Sequence, residues 1–177
     1  MLTITRLTHQ DTLALDQINH LYDSAFPLHE QRSNQGRQTI ILCEDYYLYR
    51  FTEQGKFIGF IGSWQMGNFF YVEHFAISAE LRGQGYGQQA LKLFSQQAKQ
   101  IILEIDPVID VVSQKRLHFY QHCGFKHNPY QHFHPSYHPE YKPHQLEILS
   151  LPNLIDQRTY QQFKARLYDR VMQPALL

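Results

Sequence analysis

Leu81-Arg82-Gly83-Gln84-Gly85-Tyr86-Gly87-Gln88 sets three glycines at alternate positions beside an arginine. Inside a helix each glycine would cost roughly 0.5–1 kcal/mol against alanine, so these three supply geometry and not packing. The stretch follows a strand-like run, Phe69 to Ile77, and opens a helical run with Ala90, Leu91, Phe94 and Ala98 on one face. A glycine-rich turn at a helix start leaves several backbone N–H groups unpaired at the positive end of the helix dipole, which makes an anion site. Phosphate is the expected guest, and Arg82 can fork onto its oxygens. A second chemical signal sits in the strand before the loop. Phe69, Tyr71, Glu73, Phe75 and Ile77 share a face if the period of two holds, and one carboxylate among four apolar neighbours is the odd member. Partial desolvation should raise its pKa, which suits a proton acceptor.

Arg82 to Gly87 resembles the Arg/Gln-x-x-Gly-x-Gly/Ala pyrophosphate loop of the GNAT superfamily of N-acetyltransferases. His118-Phe119-Tyr120-Gln121-His122-Cys123-Gly124-Phe125 resembles that family's FYxxxGF segment, in the right order downstream. The two motifs and the strands around them cover about residues 45 to 150. The resemblance implies a mixed, largely antiparallel α/β fold with flanking helices, a splayed parallel strand pair and acetyl-CoA as co-substrate. It implies that Arg82, Gly83, Gln84, Gly85, Tyr86, Gly87 and Gln88 hold the pyrophosphate, and that the pantetheine arm bonds to the backbone at Phe75, Ala76 and Ile77. Ser113 and Arg116 stand where the family often has asparagine and alanine, and Ser113 is grouped with the cofactor-binding residues. Glu73 would take the amine's proton, directly or through water, and Tyr120 would serve the departing thiolate. Glu30 and Arg32, between the first two helices, are candidates for holding the acceptor; the alternative is that both face solvent.

The chemistry so implied is acetyl transfer to a primary amine by direct attack. An amine of pKa near 10.4 is only about 0.04 per cent neutral at pH 7, so a base or ordered water must act before or during attack. The leaving thiolate, of pKa near 8.5, gains from a proton donor such as a tyrosine hydroxyl. No metal is required. Three other readings compete. Gly83-Gln84-Gly85 with Glu104 and Asp106 about 20 residues on could bind a nicotinamide, but the third glycine is Gln88 and five residues separate strand from loop. His118 and His122, followed by five more histidines up to His144, could bind metal, though Phe119 stands where a zinc protease has glutamate. The third is a catalytically silent acetyl-CoA sensor on the same fold.

The rest of the chain must position these groups. Its 177 residues suit one domain, with 1–44 the first strand and acceptor-side helices, 45–107 the meander, loop and helix, and 108–177 a C-terminal half. Sixteen basic residues balance sixteen acidic ones, which argues against a broad nucleic-acid face. No signal peptide or bilayer-length apolar run is recognised, so no membrane partner is expected. With two cysteines, Cys43 and Cys123, and no such segment, a cytoplasmic, thiol-reduced setting is the default expectation, and because neither lies in a C-x-x-C pair no structural disulfide is expected. The expected partner is a small-molecule or peptide amine acceptor, and a homodimer is compatible with the chain.

Leu2 to Leu7 reads as a first strand, and Thr8 with Asp11 as a cap for a helix through Leu15, Ile18 and Tyr22 ending near Pro27. Tyr46–Phe51, Phe57–Trp64 and Phe69–Ile77 read as an antiparallel meander with turns at 53–56 and 66–68. Ile101–Asp106 is a strand parallel to the third of these across a helical crossover. Ser113 is expected to cap the next helix and Gly124 to close it. Residues 126–144, rich in His, Pro and Tyr, read as a structureless lid or binding loop. Gln145–Leu151 is a last strand, and Gln157–Met172 a terminal helix.

Overall fold

A computed structural model describes residues 1–177. The strands are β1 (Thr3–Leu7), β2 (Tyr46–Glu53), β3 (Lys56–Met66), β4 (Phe69–Ile77), β5 (Ile101–Ile105), β6 (Lys126–His127), β7 (His132–His134) and β8 (His144–Leu151). The helices are α1 (Thr12–Ala25), α2 (Asn34–Ile40), α3 (Tyr86–Ser95), α4 (Val111–His122) and α5 (Gln157–Arg166). The sheet runs β1-β2-β3-β4-β5-β8-β6, with β7 on the other half of β8's edge. Every pairing is antiparallel except β4 with β5, as the sequence predicts for strands joined by a crossover helix. No helix is long and apolar enough to cross a membrane.

Each face of the sheet carries its own core. Ala14, Ile18, Leu21 and Tyr22 give α1 an apolar stripe at helical spacing, and it packs with α5 and the C-terminal turns over Trp64, Tyr71 and Ile102. Ala90, Leu91 and Phe94 of α3 and Leu117 of α4 cover the opposite face, over Phe70, Val72, Ile101 and Leu103. The alternation in β5 is therefore two-sided: Ile101, Leu103 and Ile105 serve the α3–α4 core, Ile102 the other.

Several boundaries differ from the sequence reading, each for a local reason. The α4 N-cap is Asp110, not Ser113: its carboxylate accepts from Ser113 N at 2.8 Å, while Ser113 Oγ accepts from Asp110 N at 3.0 Å. Asp11 binds Thr8 N and Oγ1 instead of donors of α1, so that pair braces the entering turn. Residues 126–144 are not structureless, because the short β6 and β7 pair with β8. The terminal helix keeps α geometry only to Arg166 and then widens to a π turn over Leu167–Val171. Gly124, at φ +95°, closes α4 as expected.

Candidate active site

The site is made by two interruptions in β4. The first is a bulge. Gly62 pairs with His74 and Ser63 with Val72, so Glu73 has no partner of its own on β3. A bulge shifts the alternation by one and re-aims side chains. The expectation that Phe69, Tyr71, Glu73, Phe75 and Ile77 share a face is thereby corrected. Phe75 and Ile77 pack with the α3–α4 core, while His74 joins Glu73 on the α1 side among Tyr22, Phe26 and Tyr137. The second interruption is a splay. The parallel ladder ends at Val72 opposite Leu103, and β4 runs on to Ile77 and β5 to Ile105 without pairing. On the side away from β3 the backbone of Phe75, Ala76 and Ile77 thus has no strand partner, and all three residues line a cleft of about 1050 Å³.

At one end of this cleft lies the glycine loop. Gly83 and Gly85 sit at φ +76° and +83°, conformations that a residue with Cβ rarely adopts. Gly85 is the N-cap of α3. None of the six backbone N–H groups from Gly83 to Gln88 makes a short, well-aligned hydrogen bond to a protein acceptor, the turn over residues 82–85 being closed only weakly, so the loop retains donors for an anion. Gly87 has a separate reason to be glycine, since a Cβ there would stand 3.1 Å from the ring of Phe119. Arg82 lines the cleft and spends only Nε on Ile77 O, at 3.1 Å. The side chains of Gln84 and Tyr86 turn away, onto Glu80 O and the Glu53 carboxylate, so these two residues can offer the cleft only their backbone.

Tyr120 lines the same cleft from α4, its ring set edge-on to Phe119 and Phe125. Burial pushes its hydroxyl up to about 12, so it stays protonated at neutral pH. Ser113 does not line the cleft. Its hydroxyl is buried in the Asp110 capping box with Ile109 N and Asp110 N, which removes the basis for grouping it with cofactor-binding residues.

The acceptor-side expectations change most. Arg32 is fully buried: Nε and Nη2 meet Glu73 Oε1 at 2.8 and 2.7 Å, Nη1 bonds Leu176 O at 2.6 Å and Nη2 bonds Val171 O at 2.8 Å. It is neither solvated nor free to hold an acceptor. Glu73 also accepts from Trp64 Nε1 at 2.7 Å and from the Tyr137 hydroxyl at 2.9 Å. Burial alone would raise its pKa, but Arg32, then His74, Trp64 and Tyr137, outweigh it and hold the carboxyl at about 2. The expected rise is thus reversed, and with it the physical argument for Glu73 as proton acceptor. Glu30 does line the cleft, in the Leu28–Glu30 turn, and burial raises its pKa, with Asp106 adding to the effect.

The sequence reading passed over Glu104, which it weighed only as a ribose-binding acid. Glu104 is the first β5 residue beyond the splay and lines the cleft. Its carboxylate takes a bond from Tyr71 Oη at 2.6 Å, another from His132 Nε2, and lies 3.7 Å from His134 Nε2. A carboxylate directly after three apolar strand residues was the available signal. Of the histidines that suggested a metal site, His127 meets Glu147, His138 meets Leu28 O and His118 meets Gln114, while His132 and His134 both face Glu104. No three His, Cys, Asp or Glu side chains are placed to share a metal ion.

The model of the acetyltransferase (GNAT) family matches residues 15–125. YjbC of Bacillus subtilis (strain 168), provisionally assigned as an acetyltransferase, is 32% identical over 104 residues, which are 58% of this chain and 53% of that protein. The matched stretch therefore spans about half the length of that curated relative. Among solved structures, a Bacteroides thetaiotaomicron protein provisionally assigned to the GNAT acetyltransferases superposes with a TM-score of 0.91 at 24% identity, covering 96% of this chain and 98% of its own. An aminoglycoside 6'-N-acetyltransferase complexed with coenzyme A gives 0.63 at 13% identity, over 84% and 95% of the two chains. At these identities the structural matches speak for the fold.

Proposed function

The chain belongs to the acetyltransferase (GNAT) family, and from that premise we propose that it transfers the acetyl group of acetyl-CoA to a primary amine by direct attack. The observation that carries this reading is the glycine loop, whose backbone N–H groups make no well-formed bond within the protein, lining the same cleft as a splayed strand pair. Such a loop suits a pyrophosphate, and the β4 edge at Phe75, Ala76 and Ile77, which has no strand partner on the β5 side, suits an amide-bearing arm running into the wedge. Tyr120 is assigned to protonate the leaving thiolate; it lines the wedge with its proton retained. Glu30 remains the proposed acceptor contact. Glu73 and Arg32 are assigned to hold the bulge and the acceptor wall in place. Residues 1–177 act as one acetyltransferase domain in this proposal. A cytoplasmic setting fits the unpaired thiols of Cys43 and Cys123.

A thermal shift tests the reading. Acetyl-CoA at about 100 times its Kd adds roughly 2.7 kcal/mol, which is about 5–11 °C in Tm for a chain of this size. NADH is expected to give no shift. A null result with both acetyl-CoA and CoA would remove the proposal. The cradle is tested by Gly85→Val. A β-branched residue at φ +83° carries strain of about 1–3 kcal/mol, which the loop relieves by leaving the geometry that aims its N–H groups. Acetyl-CoA affinity is expected to fall roughly 5- to 150-fold, with far-UV circular dichroism unchanged; full affinity in the variant would show that the loop does not grip the donor.

A further inference from the structure

We propose that His134 takes the proton from the acceptor amine and that the Glu104 carboxylate beside it stabilises the charge so gained; this rests on the acetyltransferase reading above. His134 closes β7, is 2% exposed and lines the cleft. Its Nδ1 lies 2.6 Å from the carbonyl oxygen of Pro135, and a carbonyl can only accept, so Nδ1 carries the hydrogen. In the neutral ring Nε2 then holds the free lone pair. That atom is 3.7 Å from Glu104 Oε2, too far for a hydrogen bond, so its lone pair stays free and the carboxylate charge lies beside it. Two further bonds keep the carboxylate in place, from Tyr71 and His132. Burial works against its charge, but His134, His132 and Tyr71 outweigh that and hold Glu104 below the usual carboxylate range.

Three other imidazoles line the cleft, of His74, His122 and His144; His74, beside the Glu73 carboxylate, is the obvious competitor. Its Nε2 donates to Glu30 O at 3.0 Å, and its Nδ1 lies 3.8 Å from Glu73 Oε1. The difference is in the carboxylate. Glu73 is already neutralised by the Arg32 guanidinium, whereas no Arg or Lys reaches Glu104. The negative charge that would stabilise a newly formed imidazolium is therefore left at His134. The titratable groups around that ring are Glu104 on β5, Tyr71 and His74 on β4, His144 on β8, Glu30 on the Leu28–Glu30 turn and Tyr137 on its own loop.

The step balances as follows. The acceptor ammonium gives one proton to His134 Nε2, and the freed nitrogen lone pair bonds to the thioester carbonyl carbon. The C–S bond breaks with its electron pair on sulfur, which takes the Tyr120 hydroxyl proton. Tyr120 regains a proton from the nitrogen that has become the amide. The products are the acetamide, CoA thiol and one proton on His134, which passes to solvent.

The test has an arm that needs no acceptor. Ring-nitrogen NMR of the whole chain, with His134 assigned by its loss in His134→Gln, is expected to show the Nδ1–H form at alkaline pH. An Nε2–H form overturns the proposal. The kinetic arm reads CoA release with spermidine, tyramine, L-lysine and an alanine-terminated tripeptide. With any amine that the wild type accepts, His134→Gln is expected to lower kcat by about 10²- to 10⁴-fold with KM and the acetyl-CoA thermal shift unchanged. Imidazole should restore part of the rate to His134→Gly. Glu104→Gln is expected to move the ascending limb of the pH–rate profile to lower pH, which a merely structural role would not do. If His134→Gln keeps its kcat while Tyr120→Phe loses it, or if His74→Gln alone abolishes turnover, His134 is overturned and the acetyltransferase reading stands. No acetyl-CoA shift and no CoA release in the wild type overturn both.

Discussion

Replacing Arg32 by alanine is expected to cost about 3–5 kcal/mol of stability, because it strands a fully buried carboxylate rather than deleting a surface contact. Both side chains of the Arg32–Glu73 pair have no solvent exposure. Trp64 and Tyr137 would still donate to Glu73, but neither carries a charge, and Leu176 O and Val171 O would lose their donors. For a chain of this size the loss is about 6–20 °C in Tm, read by calorimetry, and a drop equivalent to under 1 kcal/mol would show that the pair does not hold the fold. Arg32→Met with Glu73→Leu separates the two causes. Removing both charges together leaves no stranded group and should recover most of the loss. The pH dependence has a definite sign. Glu73 titrates near 4.5 when unfolded and at about 2 when folded, so its contribution is complete above pH 4.5 and is lost as pH falls toward 2. Glu73→Gln should flatten that limb of the acid-stability curve.

That pair also marks where the sequence stops being legible. The glycine loop could be read because its constraint is local: positive φ and a helix start are written in adjacent residues. The meander was read to within two residues at each strand end, since its strands, of 11 residues in β3 and 9 in β4, are joined by turns written in adjacent residues. Nothing local marks the bulge. It depends on how β4 registers against Gly62 and Ser63, and one displaced residue turns Phe75 and Ile77 to the opposite face. Arg32 and Glu73 are 41 residues apart, and Arg32 is more than 100 residues from the carbonyls that complete it. A solvated-looking arginine and a strand glutamate therefore concealed a buried ion pair. The prolines of 126–144 hid β7, whose three residues exist as a strand only because β8 supplies the ladder.

Tyr120→Phe is expected to lower kcat by about 10²- to 10⁴-fold while leaving acetyl-CoA affinity within about twofold. The asymmetry follows from what the hydroxyl touches. It makes no hydrogen bond within the protein, so its removal strands no buried partner, and the ring keeps its packing on Phe119 and Phe125. A hydroxyl held to its proton up to about pH 12 is a weak acid against the ground-state thioester, which needs no proton. It matters only when negative charge gathers on sulfur, so the loss falls on kcat and kcat/KM equally. A slower thiolate departure has a second signature: thioesters with better leaving groups should suffer less from the substitution than acetyl-CoA does. If instead KM rises and kcat holds, Tyr120 shapes the pocket without donating a proton, and the thiolate must be protonated by solvent admitted through the splay between β4 and β5.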